Sequence, residues 1–316
     1  MEAWLWRQGC YSNKMKKKYL PLLFIVFACS CDMKTNHMIS KNLDIQGHRG
    51  CRGLMPENTI AGFIKAVNLG VTTLELDLSV NGDGDVIVSH EPFFNHEIST
   101  APDGIQINKA NQLEHNVYKL SQEAIEKYDV GLKHHERFPR QKKIAATKPT
   151  LQKLVKAIRR HVKEIEVEMP LFNMEIKRNP AGDNAYHPIM EIFADKVIRT
   201  IDSLGVSEIT TVQCFDVETL NYLHKKYNHP KLVFLVENKD GFDANMEKLE
   251  FVPAVYSPDY KLVDKELVKA CKEKNILLIP WTVNEEQETI DLINLGVDGI
   301  ISDYPDMVIE VYESME

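Results

Sequence analysis

Cysteine is scarce in this sequence, with six among 316 residues: Cys10, Cys29, Cys31, Cys51, Cys214 and Cys271. The last three form no short-spaced pair, which argues against a zinc knot or a disulfide scaffold. Positive charge is also in deficit. Lys and Arg number 38 against 46 Asp and Glu, a formal net charge of -8. No broad basic surface is available for nucleic acid, and no nucleic-acid partner is expected. An acidic protein that binds an anion must build a local positive site from a metal ion, Arg and Lys. A long hydrophobic run is missing too: the apolar stretch Tyr19–Phe27 is too short to span a bilayer as a permanent helix. No internal repeat or low-complexity tract is evident. What is present is ordinary for a globular chain, 44% hydrophobic and 27% charged. The length suits one large barrel or two small domains.

The N-terminus reads as separate from the fold. Lys14, Lys16, Lys17 and Lys18 precede the apolar stretch, and Ala28-Cys29-Ser30-Cys31 follows it. Basic, apolar and small residues in that order make a secretory signal. A cysteine closing such a run resembles a bacterial lipoprotein signal, in which that cysteine is lipidated after cleavage. Residues 1–31 are therefore expected to be an N-terminal extension and signal of lipoprotein type, with lipid on Cys29 or Cys31. Residues 32–42 are polar and read as a tether. The mature chain is expected outside the cytoplasm, in the periplasm or at the cell surface, held to a membrane by its lipid.

From Leu43 onward short apolar runs alternate with helical patterns, which predicts an α/β fold with a parallel sheet. The runs are Leu43–Gly47, Thr73–Val80, Val86–Ser89, Phe172–Ile176, Ile209–Gln213, Leu232–Val236, Val252–Tyr256, Ile276–Thr282 and Gly299–Ser302. That is one more than an eight-stranded barrel needs. The second and third are separated by Asn81-Gly82-Asp83-Gly84, strong turn chemistry with no room for a helix, so they should pair antiparallel. The other eight then form a TIM (β/α)8 barrel over residues 43–316. Helices are expected at Ala61–Leu69, Leu151–His161, Ile189–Leu204, Val217–Lys226, Lys265–Lys274 and Glu285–Leu295, with Gly70, Gly205 and Gly296 as terminators. The polar stretch 93–148 breaks the rhythm and reads as an insertion over the barrel mouth.

Barrel chemistry sits at the C-terminal strand ends. Here those ends carry Gly47-His48-Arg49-Gly50, Glu75-Leu76-Asp77, Ser89-His90-Glu91 and Glu175-Ile176-Lys177. Residues two apart on a strand share a side. Leu74, Leu76 and Leu78 take the alternate positions and should pack under helices, which points Glu75 and Asp77 inward. A hairpin centred on the turn places Val80 opposite Asp85, and so Glu75 opposite His90. Three carboxylates without a cysteine ligand favour one hard divalent cation, Ca²⁺ or Mg²⁺. Arg49 and Lys177 supply fixed charge for a phosphate. His48 and His90 titrate near neutrality and suit acid and base roles. Metal, cations and two histidines together suit phosphodiester hydrolysis. The remaining histidines read as structural, with His134-His135 a solvated pair. Glu57 by itself reads as a helix-capping residue near Thr59.

These residues resemble the glycerophosphodiester phosphodiesterase family. The stretch GHRGCRGLMPENTIAGFIKAVNLGVTTLELDLSVNGDGDVIVSHEP covers Gly47 to Pro92, and Pro149-Thr150-Leu151, NMEIK at Asn173–Lys177, WTVN at Trp281–Asn284 and GVDGIISDYPD at Gly296–Asp306 follow in order. The resemblance implies a TIM barrel, His48 and His90 as the acid/base pair, and Glu75, Asp77 and Glu175 as metal ligands. It implies substrate and phosphate binding by Arg49, Lys177, Glu57 and Trp281. Glu91 and Ser302 depart from the family's usual Asp and Thr but keep the chemistry. The implied reaction is metal-dependent hydrolysis of a glycerophosphodiester to an alcohol and sn-glycerol 3-phosphate. The resemblance leaves open which histidine is acid and which is base, and His90 as acid with His48 as base is taken as the working assignment. The expected partner is the small-molecule substrate, and no protein partner is predicted. Rival readings are a related phosphodiesterase acting on inositol lipids or sphingolipids, and a non-catalytic phosphodiester-binding lipoprotein.

Overall fold

Strand and helix alternate from Asp44 to Met315 in the computed structural model, which describes residues 43–102 and 104–315. The predicted signal and tether lie outside the described residues. The strands are β1 (Asp44–Gly47), β2 (Thr73–Val80), β3 (Val86–Val88), β4 (Leu171–Ile176), β5 (Thr210–Cys214), β6 (Lys231–Val236), β7 (Val255–Pro258), β8 (Leu277–Leu278) and β9 (Gly299–Ser302). All but β3 run parallel, in the order β8-β7-β6-β5-β4-β2-β1-β9. The ring is completed by the Ile301 N–H donating to the Pro280 carbonyl and the Val283 N–H to the Ile301 carbonyl, both at 3.0 Å. This is the predicted TIM barrel.

The reason lies in β2. Leu74, Leu76 and Leu78 are fully buried in the main core with Phe63, Leu154 and Phe193. Glu75 and Asp77 take the other face, toward the barrel axis, and are each 1% exposed. The helices form where they do because their ends are capped. Thr59 accepts from the Gly62 N–H to open helix Ile60–Leu69, and Thr150 accepts from the Lys153 N–H to open Leu151–Glu164. Gly70 and Gly296, at φ of 86° and 87°, close the helices Ile60–Leu69 and Glu286–Leu295. In Leu151–Glu164 the buried side chains Leu151, Leu154, Val155, Ile158 and Val162 repeat at helical spacing.

The structure differs from the sequence reading in several places. The segment predicted as strand Ile276–Thr282 keeps only Leu277–Leu278 as ladder, because beyond it the backbone pairs irregularly with both neighbours to close the ring. A helix at Pro305–Met315, not predicted, packs Val308 and Val311 into the core. The β2–β3 hairpin pairs Leu78 with Val88 and Val80 with Val86, one residue off the predicted register. The Asp85 N–H donates to the Asn81 side chain, which places Asp85 in the turn rather than the ladder. The insertion has a small core of its own, in which Ile87 of β3 packs with Phe94, Ile107, Val117, Ile125 and Val130. There Phe94 stacks on Tyr128 at 3.8 Å. Within it His134 is exposed, but His135 is buried edge-on against Phe138 rather than solvated. Among the described residues no helix is long and apolar enough to cross a membrane.

Candidate active site

Sheet register brings the acidic residues together. Asp77 of β2 pairs with Glu175 of β4, so their side chains stand side by side on the inner face, with Glu75 one step below. One carboxylate oxygen from each of the three lies within 4.8 Å of the others, and all three residues are buried. Glu75 and Asp77 are aimed from behind. The Arg49 backbone N–H donates to Glu75 Oε2 at 2.8 Å, and Gln213 Nε2 donates to Glu75 Oε1 at 2.7 Å. Asn58 Nδ2 donates to Asp77 Oδ2 at 2.8 Å. Arg49 can turn its N–H inward because it sits at φ 51°, and the next residue, Gly50, is at φ 86°. A Cβ on Gly50 would lie 2.9 Å from the Gly62 carbonyl carbon, so this turn admits only glycine there.

Burial, and then the neighbouring Asp77 carboxylate, push Glu75 well above its ordinary range. Burial alone would also raise Asp77, but His90, Arg49 and Lys177 hold it far below. Glu175 is raised by burial, although Lys177 Nζ lies 2.7 Å from its Oε1. Buried carboxylates this close, with Glu75 and Glu175 both disfavoured as anions, are suited to added positive charge. An all-oxygen set without sulfur or imidazole can hold a hard divalent cation.

The two histidines are held differently. His48 Nδ1 donates to Asp303 Oδ1 at 2.6 Å, and its Nε2 lies 4.0 Å from Glu75 Oε2. Burial, reinforced by Arg52 and Arg49, outweighs Asp303 and holds the His48 imidazole down at about 4. Asp303 is itself fixed by Arg52, whose Nε and Nη2 reach its two oxygens at 2.8 and 2.9 Å, and by Asn284 Nδ2 at 2.8 Å. His90 Nδ1 lies 2.9 Å from Glu91 Oε1, and its Nε2 faces Lys177 Nζ at 3.1 Å. The corrected register sets Ser89, not Val88, beside Asp77: the Ser89 N–H donates to the Asp77 carbonyl at 2.9 Å. His90 still reaches the site because β3 ends at Val88, and residues past it no longer alternate.

A cavity of about 670 Å³ at the barrel mouth is lined by His48, His90, Arg49, Lys177, Glu175 and Trp281, among others. Trp281 crosses Phe215 edge-on at 5.5 Å and anchors its Nε1–H on the Ser257 carbonyl. Glu57 does not cap the helix, a task that falls to Thr59. It pairs with Arg49 Nη1 at 2.8 Å and is not among the residues lining the cavity. Asp303, Arg52, Asn58, Gln213 and Glu91 were not assigned roles from sequence. Their position, in the segments after β9, β1 and β3 and near the end of β5, was the available signal.

The pattern of the Glycerophosphoryl diester phosphodiesterase family matches residues 48–307. The chain belongs to that family. It is an enzyme, a phosphoric diester hydrolase of the glycerophosphodiester phosphodiesterase kind. A glycerophosphodiester phosphodiesterase from Caldanaerobacter subterraneus is 30% identical over 84% of this chain and 95% of its own length. One from Bacillus subtilis is 27% identical over 90% of this chain and 92% of its own. A solved structure from Silicibacter pomeroyi superposes with a TM-score of 0.75 at 25% identity, covering 86% of this chain and 94% of that one. An Oleispira antarctica phosphodiesterase, solved with the product sn-glycerol-3-phosphate, has a TM-score of 0.67 at 19% identity over 85% and 96% of the two chains.

Proposed function

We propose that this member hydrolyses glycerophosphodiesters to an alcohol and sn-glycerol 3-phosphate, with one Ca²⁺ or Mg²⁺ held by Glu75, Asp77 and Glu175. The observation that carries this reading is the meeting, in one cavity, of a buried carboxylate triad, two histidines and two cations. A cation bound there supplies Lewis-acid neutralisation of phosphoryl charge. Arg49 and Lys177 face the phosphate oxygens as fixed donors. His48 is the base: its Nδ1–H is committed to Asp303, which leaves neutral Nε2 toward the cavity. It takes the proton of the attacking oxygen, whether of water or of the neighbouring glycerol hydroxyl by way of a cyclic phosphate that water then opens. His90 is the acid: Glu91 Oε1 holds its Nδ1 at 2.9 Å, and a phosphate that draws Lys177 away frees Nε2 for the leaving oxygen. The product bound by the Oleispira antarctica phosphodiesterase supports sn-glycerol 3-phosphate as the product here.

The test is release of glycerol 3-phosphate from sn-glycerophosphocholine, -ethanolamine and -inositol, with and without excess EDTA. Release that stops on chelation and returns with Ca²⁺ or Mg²⁺ supports the reading. Undiminished release in EDTA counts against the metal role, and release of glycerol with a phosphorylated alcohol counts against the cleavage direction.

We also propose that the chain is exported and lipid-anchored at Cys29 or Cys31, on the strength of the basic, apolar and small-residue order before them. Converting both to Ala should move the protein from the membrane to the soluble fraction. A double variant that still sediments with membranes removes the lipid anchor from the account.

A further inference from the structure

A second cavity, of about 480 Å³, opens beside the catalytic one. The two share His90, Lys177 and Phe215, whereas His48 lines the catalytic cavity alone. The second is walled by Pro92 and Phe93 after β3, by Leu113 of the insertion, and by Ile176 and Tyr186 on the β4 side. Phe93 and Tyr186 meet edge to face with ring centroids 6.5 Å apart. Leu113, at the rim, is 48% exposed and reachable by a ligand. Hydrogen bonds brace the walls. Phe93 bridges to Asn116, and the Asn116 side-chain amide donates to the Ala185 carbonyl at 2.8 Å.

We infer that this cavity receives the leaving alcohol and favours glycerophosphodiesters whose alcohol carries an apolar alkyl or aryl body. The inference rests on the phosphodiesterase reading above. A phosphodiester joins two alcohols through one phosphorus. The glycerol half needs polar partners and finds them in the catalytic cavity, where carboxylates, Arg49 and Gln213 gather. The other alcohol therefore lies beyond the phosphate. As its P–O bond breaks, the electron pair stays on the oxygen, and the proton on His90 Nε2 completes the alcohol. His48 keeps the proton taken from the attacking oxygen. Because His90 is the histidine common to both cavities, the oxygen it protonates departs toward the second. What fills that space displaces water from aromatic and aliphatic walls, which favours an apolar group. The cavity's charges balance, Lys177 and Arg178 against Glu91 and Glu175, so it offers a quaternary ammonium no net attraction beyond what its apolar walls give.

The experiment compares kcat/KM for the ethyl, 1-hexyl and choline esters of sn-glycerol 3-phosphate, using the purified protein. Ethanol and hexanol have nearly equal acidity, so the leaving-group chemistry is constant. Each fully buried methylene is worth about a fourfold change, so four of them in a half-open pocket should favour the hexyl ester by roughly tenfold or more. Replacing Phe93 and Leu113 together by Ser should bring the hexyl-to-ethyl ratio to about two or below. If circular dichroism shows that double variant unfolded, Leu113→Asp at the exposed rim reads the same ratio. A wild-type ratio near one, a ratio that survives the substitutions, or a preference for choline lost with them overturns the inference while the phosphodiesterase reading stands. Failure to cleave any of the three esters overturns that reading itself, and the inference with it.

Discussion

Replacing Glu75 by Gln removes nearly all phosphodiesterase activity, and with it the thermal stabilisation that added divalent cation confers, while the fold stays in place. The substitution keeps volume and removes one ligand charge. Loss of an outer partner of a metal site typically costs ~10–100-fold in affinity or activity, and loss of a direct ligand should exceed that. The fold survives because two effects oppose each other. The variant gives up one of two hydrogen bonds, since the amide oxygen accepts from the Arg49 N–H or from Gln213 Nε2 but not both. That loss is on the order of 1 kcal/mol. Against it, a carboxylate disfavoured by burial and by Asp77 is gone. Melting with and without cation separates the two contributions. A ligand at a hundred times its Kd adds about 2.7 kcal/mol to the wild type, and little of that should remain in the variant. Full activity in Glu75→Gln would remove this triad from the metal account.

His48→Ala and His90→Ala should both lose on the order of 10²–10⁴-fold on a natural glycerophosphodiester, but respond differently to an activated one. A dialkyl phosphate is slow because its leaving alkoxide is very basic, so protonation of that oxygen as the bond breaks is essential. A nitrophenyl ester needs this proton far less. If His90, beside the second cavity, is the acid as proposed, the nitrophenyl ester should rescue His90→Ala. His48, held neutral by burial, Arg52 and Arg49, with Nδ1 on Asp303, is the proposed base. Its loss should persist on both substrates. Equal losses on both esters in both variants would end this division of labour, and a wild-type rate in either variant would show that histidine to be dispensable.

Much of the site was legible because strand alternation is local. Leu74, Leu76 and Leu78 declared one face of β2 as core, which left Glu75 and Asp77 for the other, and they stand there. The Asn81–Gly84 turn announced the hairpin, yet not its register, because Asn81 closes the turn around Asp85 with its own side chain. His90 reached the predicted neighbourhood by a route that alternation does not describe, past the end of β3. The roles of Asp303 and Arg52 were hidden for another reason. His48 and Asp303 are 255 positions apart, and no periodicity relates them. The two are neighbours because β1 pairs with β9, Gly47 beside Ser302.

By itself the sequence determined most of the elements and the residue types available for the chemistry. Apolar period, caps and turn residues act over a few positions, and the residue types that can bind metal, phosphate and protons are few. Only the tertiary structure decided how those groups are held: that Asp303 with Arg52 orients His48, that Glu57 pairs with Arg49, and that an apolar cavity lies on the His90 side. Each of these depends on barrel closure and on the return of the insertion against β3. Such contacts join residues far apart in the chain, and their partners are chosen by the packing of the whole rather than by any local pattern.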